Sequence, residues 1–354
     1  MKLSLMSLGD IMDDPITGAK FSAPERYRMM IDAAVIADRA GFYGVNFGEH
    51  HGIDYTFSAP PVMLAAIAER TKRLKLSTAV ALAANLDPLR LAEDYATVDV
   101  ISGGRVEIVT GRGNFFESTY ALFGQSPADS AERFAEAMSL LCILWRGEPV
   151  YWKGKFRPPI NGERLQPTPV QRGIAPFWVG GGSSRDTAVL AGRLGLKLML
   201  PSAFGRPDKF VPVVDMYREA FAAADHAHKP EIGACWHGWV APASQEAHRR
   251  FEPRYRAYHA FSQALIKRVN PNPPSYLTTD FDYKLLTTHG PAIVGSPAEF
   301  LDRLGELDEL LSVDLNLIKM DMGGVPREEY LNMIELLASD VIPKLRSTPK
   351  PVPA

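Results

Sequence analysis

Three consecutive polar side chains, a carboxylate and two imidazoles, stand at Glu49, His50 and His51, directly after the apolar run at residues 42–47. Such a triplet is typical of a metal site, of a catalytic base beside a cofactor, or of a hydrogen-bonded loop. Successive residues of an extended chain point to opposite faces, so only one of the two imidazoles can face a given cavity. A single histidine with a carboxylate beside it to orient or charge it suits proton transfer near neutral pH. The triplet therefore predicts one catalytic histidine, and the metal site and the loop stay open as alternatives.

Glycine-rich turns with polar side chains form a second candidate site. Residues 180–187 (GGGSSRDT) lead from an apolar run into a helical pattern, and a helix N-terminus with free backbone N–H groups binds phosphate. Arg112 lies between Gly111 and Gly113 after another apolar run. Glycine allows close approach of the backbone, and a guanidinium group binds phosphate through its planar fork. Together these features predict a phosphate clamp. The alternatives are a tight turn with nothing bound and a solvated arginine.

Both candidate sites follow members of a set of short apolar or β-branched runs that alternate with helical patterns. Alternating strands and helices predict a parallel sheet with right-handed crossovers. Eight such units in 354 residues predict an α/β fold, a (β/α)8 TIM barrel with insertions, and a doubly wound sheet is the alternative. In a barrel the chemistry lies at the C-terminal ends of the strands, where both candidate sites are found. The predicted strands are residues 3–8, 42–47, 75–82, 105–110, 176–179, 196–200, 232–240 and 313–319.

A single barrel domain is predicted over residues 1–346. Residues 147–173 interrupt the alternation with four glycines and five prolines, and they contain a predicted hairpin around Lys153 and Gly154. Residues 253–290, rich in aromatic residues and proline, form a second predicted surface excursion. The proline-rich residues 347–354 are predicted to be a disordered tail.

Composition narrows the class of protein. Hydrophobic residues make up 46% of the chain and charged residues 23%, which is ordinary for a globular protein. The net charge of −2 gives no basic excess that would favour a nucleic acid or an anionic membrane surface as partner. No uncharged apolar run is long enough to span a bilayer. The two cysteines, Cys142 and Cys235, form no CxxC motif, which fits a reducing compartment such as the cytoplasm.

Four further motifs complete a pattern that resembles the bacterial luciferase-like monooxygenases. Besides Glu49-His50-His51, they are residues 86–93 (LDPLRLAE), 102–106 (SGGRV), 110–113 (TGRG) and 294–299 (VGSPAE). The similarity extends from residue 1 to about residue 345, and it lies in the order and spacing of the motifs rather than in any one of them. The resemblance implies a TIM barrel that binds FMN, receives reduced flavin from a separate reductase and reacts with O2, and it implies a homodimer.

The resemblance also implies roles for individual residues. His50 lies by the flavin and assists proton transfer, and a non-proline cis peptide bond between Ala79 and Val80 supports the flavin ring. Arg112 and the turn after the fifth strand bind the phosphate. No residue is predicted to bind a metal. The residues predicted to hold the cofactor are Glu49, Ala79, Val80, Thr110, Arg112, Gly181, Gly182, Ser183, Ser184 and Thr187.

Three departures from the family pattern bear on the reaction. Gly111 stands where light-emitting members carry a reactive cysteine, Ser183 replaces an acidic residue, and Asp87 replaces the histidine of a His-Pro pair. These changes weigh against light emission and against a long-chain aldehyde as substrate. The sequence therefore predicts an FMN-dependent monooxygenase that oxygenates a small, largely apolar organic substrate. The alternatives are an oxidoreductase that uses the deazaflavin F420, a metal-dependent barrel hydrolase, and a flavin-binding protein without enzymatic activity.

Overall fold

The computed structural model describes residues 1–113, 116–172, 176–181, 185–270, 273 and 280–347. The strands are β1 (Lys2–Ser7), β2 (Gly44–Phe47), β3 (Lys75–Thr78), β4 (Ala81–Leu82), β5 (Val106–Gly111), β6 (Val150–Trp152), β7 (Ile160–Glu163), β8 (Phe177–Gly180), β9 (Lys197–Leu200), β10 (Ile232–Val240), β11 (Ala292–Gly295) and β12 (Leu315–Lys319). The α-helices are α1 (Ala23–Ala40), α2 (Pro60–Ala68), α3 (Pro88–Ser102), α4 (Ser118–Leu122), α5 (Ser130–Leu144), α6 (Arg185–Arg193), α7 (Val211–Ala223), α8 (Ser244–Val269), α9 (Tyr283–Thr288), α10 (Pro297–Leu311), α11 (Arg327–Asp340) and α12 (Ile342–Ser347).

Eight parallel strands close into a ring in the order β1, β2, β3, β5, β8, β9, β10 and β12, and β12 pairs back with β1. Each of them coincides with one of the predicted strands, so the predicted TIM barrel is confirmed. The ring brings the chain ends together, since Leu5 of β1 pairs with Ile318 of β12. It also places β5 beside β8, where Thr110 pairs with Val179. The segments that follow β5 and β8 are therefore neighbours at the same edge of the barrel.

Two strands differ from the predicted set. The predicted strand at residues 75–82 is divided into β3 and β4, and the peptide bond between Ala79 and Val80, in the gap between them, is cis. The short strand β11 was not predicted. It pairs with the end of β10 that extends beyond the ring, with His237 opposite Ala292.

The second predicted excursion begins in the wrong place, because the segment after residue 253 continues a helix. Helix α8 runs through Pro253 for 26 residues. A proline normally interrupts a helix, but packing of the surrounding side chains can override this preference. Arg254 is buried and forms ion pairs with Asp14 at 2.9 Å and Glu329 at 2.9 Å, and Tyr258 is buried one turn later. These contacts hold the second half of α8 against the barrel mouth.

The first predicted excursion contains the predicted hairpin, formed by the antiparallel strands β6 and β7. Of the predicted tail, residues 348–354 lie outside the described residues. No described helix combines the length and the apolar character that a membrane span requires.

A buried cluster of charges joins the C-terminal ends of β1 and β12. The ammonium group of Lys319 lies 2.8 Å from Asp10 and 3.4 Å from Asp321, and the guanidinium group of Arg26 lies 2.7 Å from Asp321. Burial alone would raise the pKa of the Asp321 carboxyl, but the charges of Lys319 and Arg26 hold that pKa below its usual value. The stability that this carboxylate contributes is therefore present above about pH 4 and is lost as the pH falls through the lowered pKa.

Candidate active site

A cavity of about 420 Å³ opens at the C-terminal ends of the barrel strands. Side chains and backbone from the strand ends form its floor, and Tyr258, Ser262 and Ile266 of α8 form part of its wall. The described residues that line it are Met6, Leu8, Glu49, His50, Tyr55, Ala79, Val80, Leu82, Gly111, Arg112, Gly113, Phe116, Thr119, Gly180, Gly181, Thr187, Met199, Leu200, Pro201, Phe204, Cys235, Tyr258, Ser262 and Ile266. Seven of the predicted site residues are in this set: Glu49, His50, Ala79, Val80, Arg112, Gly181 and Thr187.

His50 presents a neutral imidazole to the cavity. Burial, aided by the nearby charge of Lys319, lowers the pKa of His50 to about 3. Its ring stacks on Tyr55 with 4.2 Å between the ring centroids, and its Nδ1 has no hydrogen-bond partner among the described residues. An unpartnered buried nitrogen is costly unless a ligand or water binds it. The neutral ring of His50 thus lines the cavity, and its Nδ1 keeps an unused capacity for a hydrogen bond.

The triplet suggested that Glu49 orients or charges His50, but in the structure Glu49 has other partners. Its carboxylate lies 2.8 Å from Nε2 of His51 and accepts a hydrogen bond of 3.1 Å from the backbone N–H of Leu82. The chain turns after β2, so the side chains of His50 and His51 separate and only that of His50 reaches the cavity. The contact with Leu82 ties this turn to β4, directly after the cis peptide bond. Glu49 therefore fixes the loop that carries His50.

The cis peptide bond between Ala79 and Val80 is present, and Val80 faces the cavity between two glycines. A Cβ atom added at Gly111 would lie 2.5 Å from Val80, and one added at Gly180 would lie 2.8 Å from the same side chain. Both distances are shorter than any van der Waals contact allows. The glycines therefore leave the space that Val80 occupies.

Gly111→Ala is expected to destabilise the protein by about 1–3 kcal/mol, because the added methyl group overpacks the contact with Val80. The free energy of unfolding in urea measures this effect. Gly305→Ala is the matched control, since nothing lies within 4 Å of a Cβ atom at that position of α10 and alanine is the better helix former. Equal stability of Gly111→Ala and the unmodified protein would show that Val80 adapts without cost.

Arg112 and the N-terminal end of α6 lie at neighbouring strand ends, after the paired strands β5 and β8. Arg112 is half-buried, lines the cavity and forms no ion pair among the described residues. Its backbone carbonyl is fixed by hydrogen bonds from the hydroxyl of Tyr120 and, at 3.3 Å, from Asn85. Gly181 precedes α6, and Thr187 lies buried in its first turn beside Gly181. The arrangement can bind an anion such as a phosphate group.

Three predicted phosphate ligands, Gly182, Ser183 and Ser184, lie outside the described residues. The side chain of Thr110 is fully buried, and its hydroxyl group donates a hydrogen bond of 2.9 Å to the backbone carbonyl of Trp178. The structure thus brings Thr110 to the base of the clamp, where its hydroxyl links β5 to β8 and does not line the cavity.

The sequence identified the aromatic part of the cavity wall only by segment: the aromatic stretches near residues 114–124 and 253–290 were candidates for the lid and the substrate wall, but no individual residue was named. Tyr55 and Phe116 come from loops, Phe204 from a short 3-10 helix after β9, and Tyr258 from α8. No motif or periodicity distinguishes these residues from ordinary core aromatics. The only sequence signal was the abundance of aromatic residues in the two segments that contribute Phe116 and Tyr258.

His226 and His228, which follow α7, are separated by one residue, a spacing that metal ligands often have. They do not line the cavity. Their Nε2 atoms lie 2.9 Å and 2.8 Å from the backbone carbonyls of Gly192 and Gly195. These bonds tie the loop to the end of α6. Within the described ranges, no three His, Cys, Asp or Glu side chains come together as a metal site.

Comparisons with known proteins agree with this geometry. The sequence profile of the luciferase-like monooxygenase family matches residues 1–313. The oxygenase component of a flavin-dependent trigonelline monooxygenase from Acinetobacter baylyi is 27% identical over 232 residues, which cover 62% of this chain and 61% of that protein. The crystal structure of monooxygenase RslO1 from Streptomyces bottropensis is 26% identical, covers 98% of this chain and 100% of its own, and superposes with a TM-score of 0.81.

Two more distant structures share the fold and differ in their cofactors. The oxygenating constituent of 3,6-diketocamphane monooxygenase from Pseudomonas putida, in complex with FMN, is 19% identical, with 97% of this chain and 98% of that chain covered and a TM-score of 0.78. An F420-dependent secondary alcohol dehydrogenase in complex with an F420-acetone adduct is 16% identical, with 96% and 98% covered and a TM-score of 0.71. At these identities the likeness concerns the fold alone.

Proposed function

The chain belongs to the luciferase-like monooxygenase family, and on that premise we propose that it uses reduced FMN and O2 to oxygenate a small, largely apolar organic substrate. The observation that carries the proposal is the position of Arg112. This arginine, which has no ion pair among the described residues, stands with the N-terminus of α6 at the mouth of an apolar cavity that also holds a neutral His50.

The residues present fit a flavin mononucleotide. Arg112, Gly181 and Thr187, together with Gly182, Ser183 and Ser184, would hold the phosphate. Ala79 and Val80 would support the flavin ring, since Gly111 and Gly180 leave room for Val80 to face the cavity. Thr110 would stabilise the clamp, because its hydroxyl group links β5 to β8. When bound, FMN supplies the redox chemistry with O2.

The chain's own groups position the reactants and move a proton. His50 would hold a proton at an imidazole nitrogen beside the flavin, because its neutral ring can both donate and accept a hydrogen bond. Through its contacts with Leu82 and His51, Glu49 would fix the loop that carries His50. The apolar wall would keep water from the reacting atoms. A separate reductase would supply the reduced flavin, as the name of the trigonelline relative, an oxygenase component, suggests.

F420 is the alternative cofactor, and one feature of the clamp favours FMN. The tail of F420 carries more negative charge beyond its phosphate and requires additional basic residues. Among the described residues, the two strand ends offer Arg112 and Arg185.

Titration of the purified protein with FMN, reduced FMN and F420 tests the proposal directly. We expect reduced FMN to bind with a dissociation constant well below millimolar, and more tightly than F420. Binding no better than millimolar would overturn the proposed function, and preferential binding of F420 would replace the cofactor. Formation of an oxygenated product from an added substrate, with NADH, O2 and a flavin reductase, then distinguishes an active monooxygenase from a protein that only binds flavin, because free reduced FMN consumes O2 by itself.

A further inference from the structure

The part of the cavity around His50 is an aromatic surface. Tyr55 stacks on the His50 imidazole, and the ring of Phe116 meets both, with centroid distances of 5.3 Å to His50 and 6.0 Å to Tyr55. Tyr258 and Ile266 of α8 face the same cavity. Aromatic rings pack well against other flat rings, both stacked and edge to face. A flat ring therefore matches this wall better than a flexible chain.

Besides His50 and Ser262, this surface carries two phenol hydroxyls that stay protonated. Burial raises the pKa of Tyr55 and of Tyr258, and the negative charge of Asp10 raises both further. The Tyr258 hydroxyl interacts with the hydroxyl groups of Tyr55 and Ser262. The three hydroxyl groups hold three protons, and the two contacts between them use two, so the group can donate the third to the oxygen atom of a ligand.

The two charged groups next to these tyrosines, Lys319 and Asp10, do not line the cavity. Lys319 and Asp10 are fully buried behind the tyrosines, and the Lys319 ammonium lies 4.2 Å from the centroid of the Tyr258 ring. Among the described lining residues, the charged side chains are those of Glu49 and Arg112. Glu49 is bound to His51, and Arg112 lies at the anion clamp. A carboxylate or ammonium group on a substrate in the aromatic part would therefore be desolvated without a partner, which is costly.

We propose that the substrate is a neutral aromatic compound with a hydroxyl or carbonyl oxygen, its ring against Tyr55 and Phe116 and its oxygen bound to the hydroxyl group of Tyr258. This inference rests on the proposed function for the chemistry that follows binding. It concerns a different part of the cavity from the flavin phosphate clamp. A substrate with a carboxylate fits this aromatic part less well, because its described residues offer such a group no cation.

Equilibrium dialysis against 2-naphthol, naphthalene and 2-naphthoate, with and without saturating FMN, tests the inference. We expect 2-naphthol to bind at least tenfold more tightly than 2-naphthoate, since the charged group of the latter loses its hydration. Tyr258→Phe keeps the ring over Lys319 and removes only the hydroxyl. It should weaken 2-naphthol binding about fivefold to tenfold, as expected for one hydrogen bond, and leave naphthalene binding unchanged.

Tyr255→Phe, in α8 but outside the cavity lining, is the matched control and should change neither affinity. Tyr55→Phe provides a second variant if Tyr258→Phe fails to fold. Equal binding of 2-naphthoate and 2-naphthol, an unchanged ratio of 2-naphthol to naphthalene in the hydroxyl variants, or no binding of any of the three compounds would overturn the inference. If reduced FMN does not bind but the preference for 2-naphthol persists, the proposed function fails and the inference about the cavity stands.

Discussion

His50→Ala is expected to lower turnover about 100-fold or more, within the range typical of a lost acid or base, while the dissociation constant for reduced FMN changes no more than a few-fold. The imidazole lines the cavity beside the predicted flavin site but lies apart from the phosphate clamp formed by Arg112 and α6. Its removal should therefore affect the proton step more than cofactor binding. O2-coupled substrate oxidation measures turnover, and fluorescence titration under anaerobic conditions measures affinity.

The protonation state of His50 makes this prediction specific. Because burial lowers its pKa to about 3, the ring is neutral at every pH at which the protein is ordinarily assayed. Between pH 5 and pH 9, the rate of the unmodified protein should therefore depend on pH in the same way as the rate of the His50→Ala variant. Titration of the imidazole should add no inflection in this range. An inflection near pH 6.5 that is lost with the side chain would mean that flavin or substrate binding restores an ordinary pKa to the imidazole.

His50→Gln is the control for packing. Glutamine fills much of the space beside Tyr55 and keeps a polar end, but it does not exchange a proton near neutral pH. Both variants should lose turnover together if His50 moves a proton. Recovery of turnover in His50→Gln would assign the loss in His50→Ala to the collapsed wall, and loss of flavin affinity with turnover intact would contradict the role given to His50.

Local sequence patterns predicted the barrel because each of its strands is a short apolar run bounded by helical periodicity. The same patterns predicted where the site lies, since the ends of parallel strands meet at one edge of a barrel. Arg112 and the glycine turn before α6 could be paired from sequence for this reason. The role of Glu49 was harder to predict, because the partner of the Glu49 carboxylate depends on how the chain turns after β2. The structure pairs it with His51 and Leu82.

Features that join distant segments had no sequence signal. Asp10 and Lys319 are 309 residues apart and meet only because β1 pairs with β12. The course of α8 beyond Pro253 depends on the buried pair of Arg254 and Asp14, since the proline itself predicts a helix end. The aromatic wall depends on both of these long-range contacts, because Tyr258 reaches the cavity from α8 and packs over Lys319. Tertiary contacts, and not local preference, thus determine the aromatic wall against which we propose that the substrate binds.

Arg112→Met is expected to weaken FMN binding at least about 100-fold. The guanidinium group can form two charge-assisted hydrogen bonds with a phosphate, each contributing about 1.5–3 kcal/mol. Among the described residues no carboxylate competes for it, so its removal creates no unpaired partner within the protein. Methionine retains the apolar part of the side chain, which makes the loss of charge the main change. Fluorescence titration of flavin measures the affinity, and Arg112→Lys should recover part of it, since lysine keeps the charge but lacks the planar fork.

Riboflavin, which lacks the phosphate, provides the control ligand for Arg112→Met. If the arginine binds the phosphate, the variant should bind riboflavin as the unmodified protein does, and the preference for FMN over riboflavin should fall by the same factor as the affinity for FMN. Equal losses for both ligands would instead mean that Arg112 supports the fold around Asn85 and Tyr120, whose side chains hold its carbonyl. Because the phosphate is the only difference between the two flavins, the ratio of their affinities separates a binding role from a structural one even in a destabilised variant.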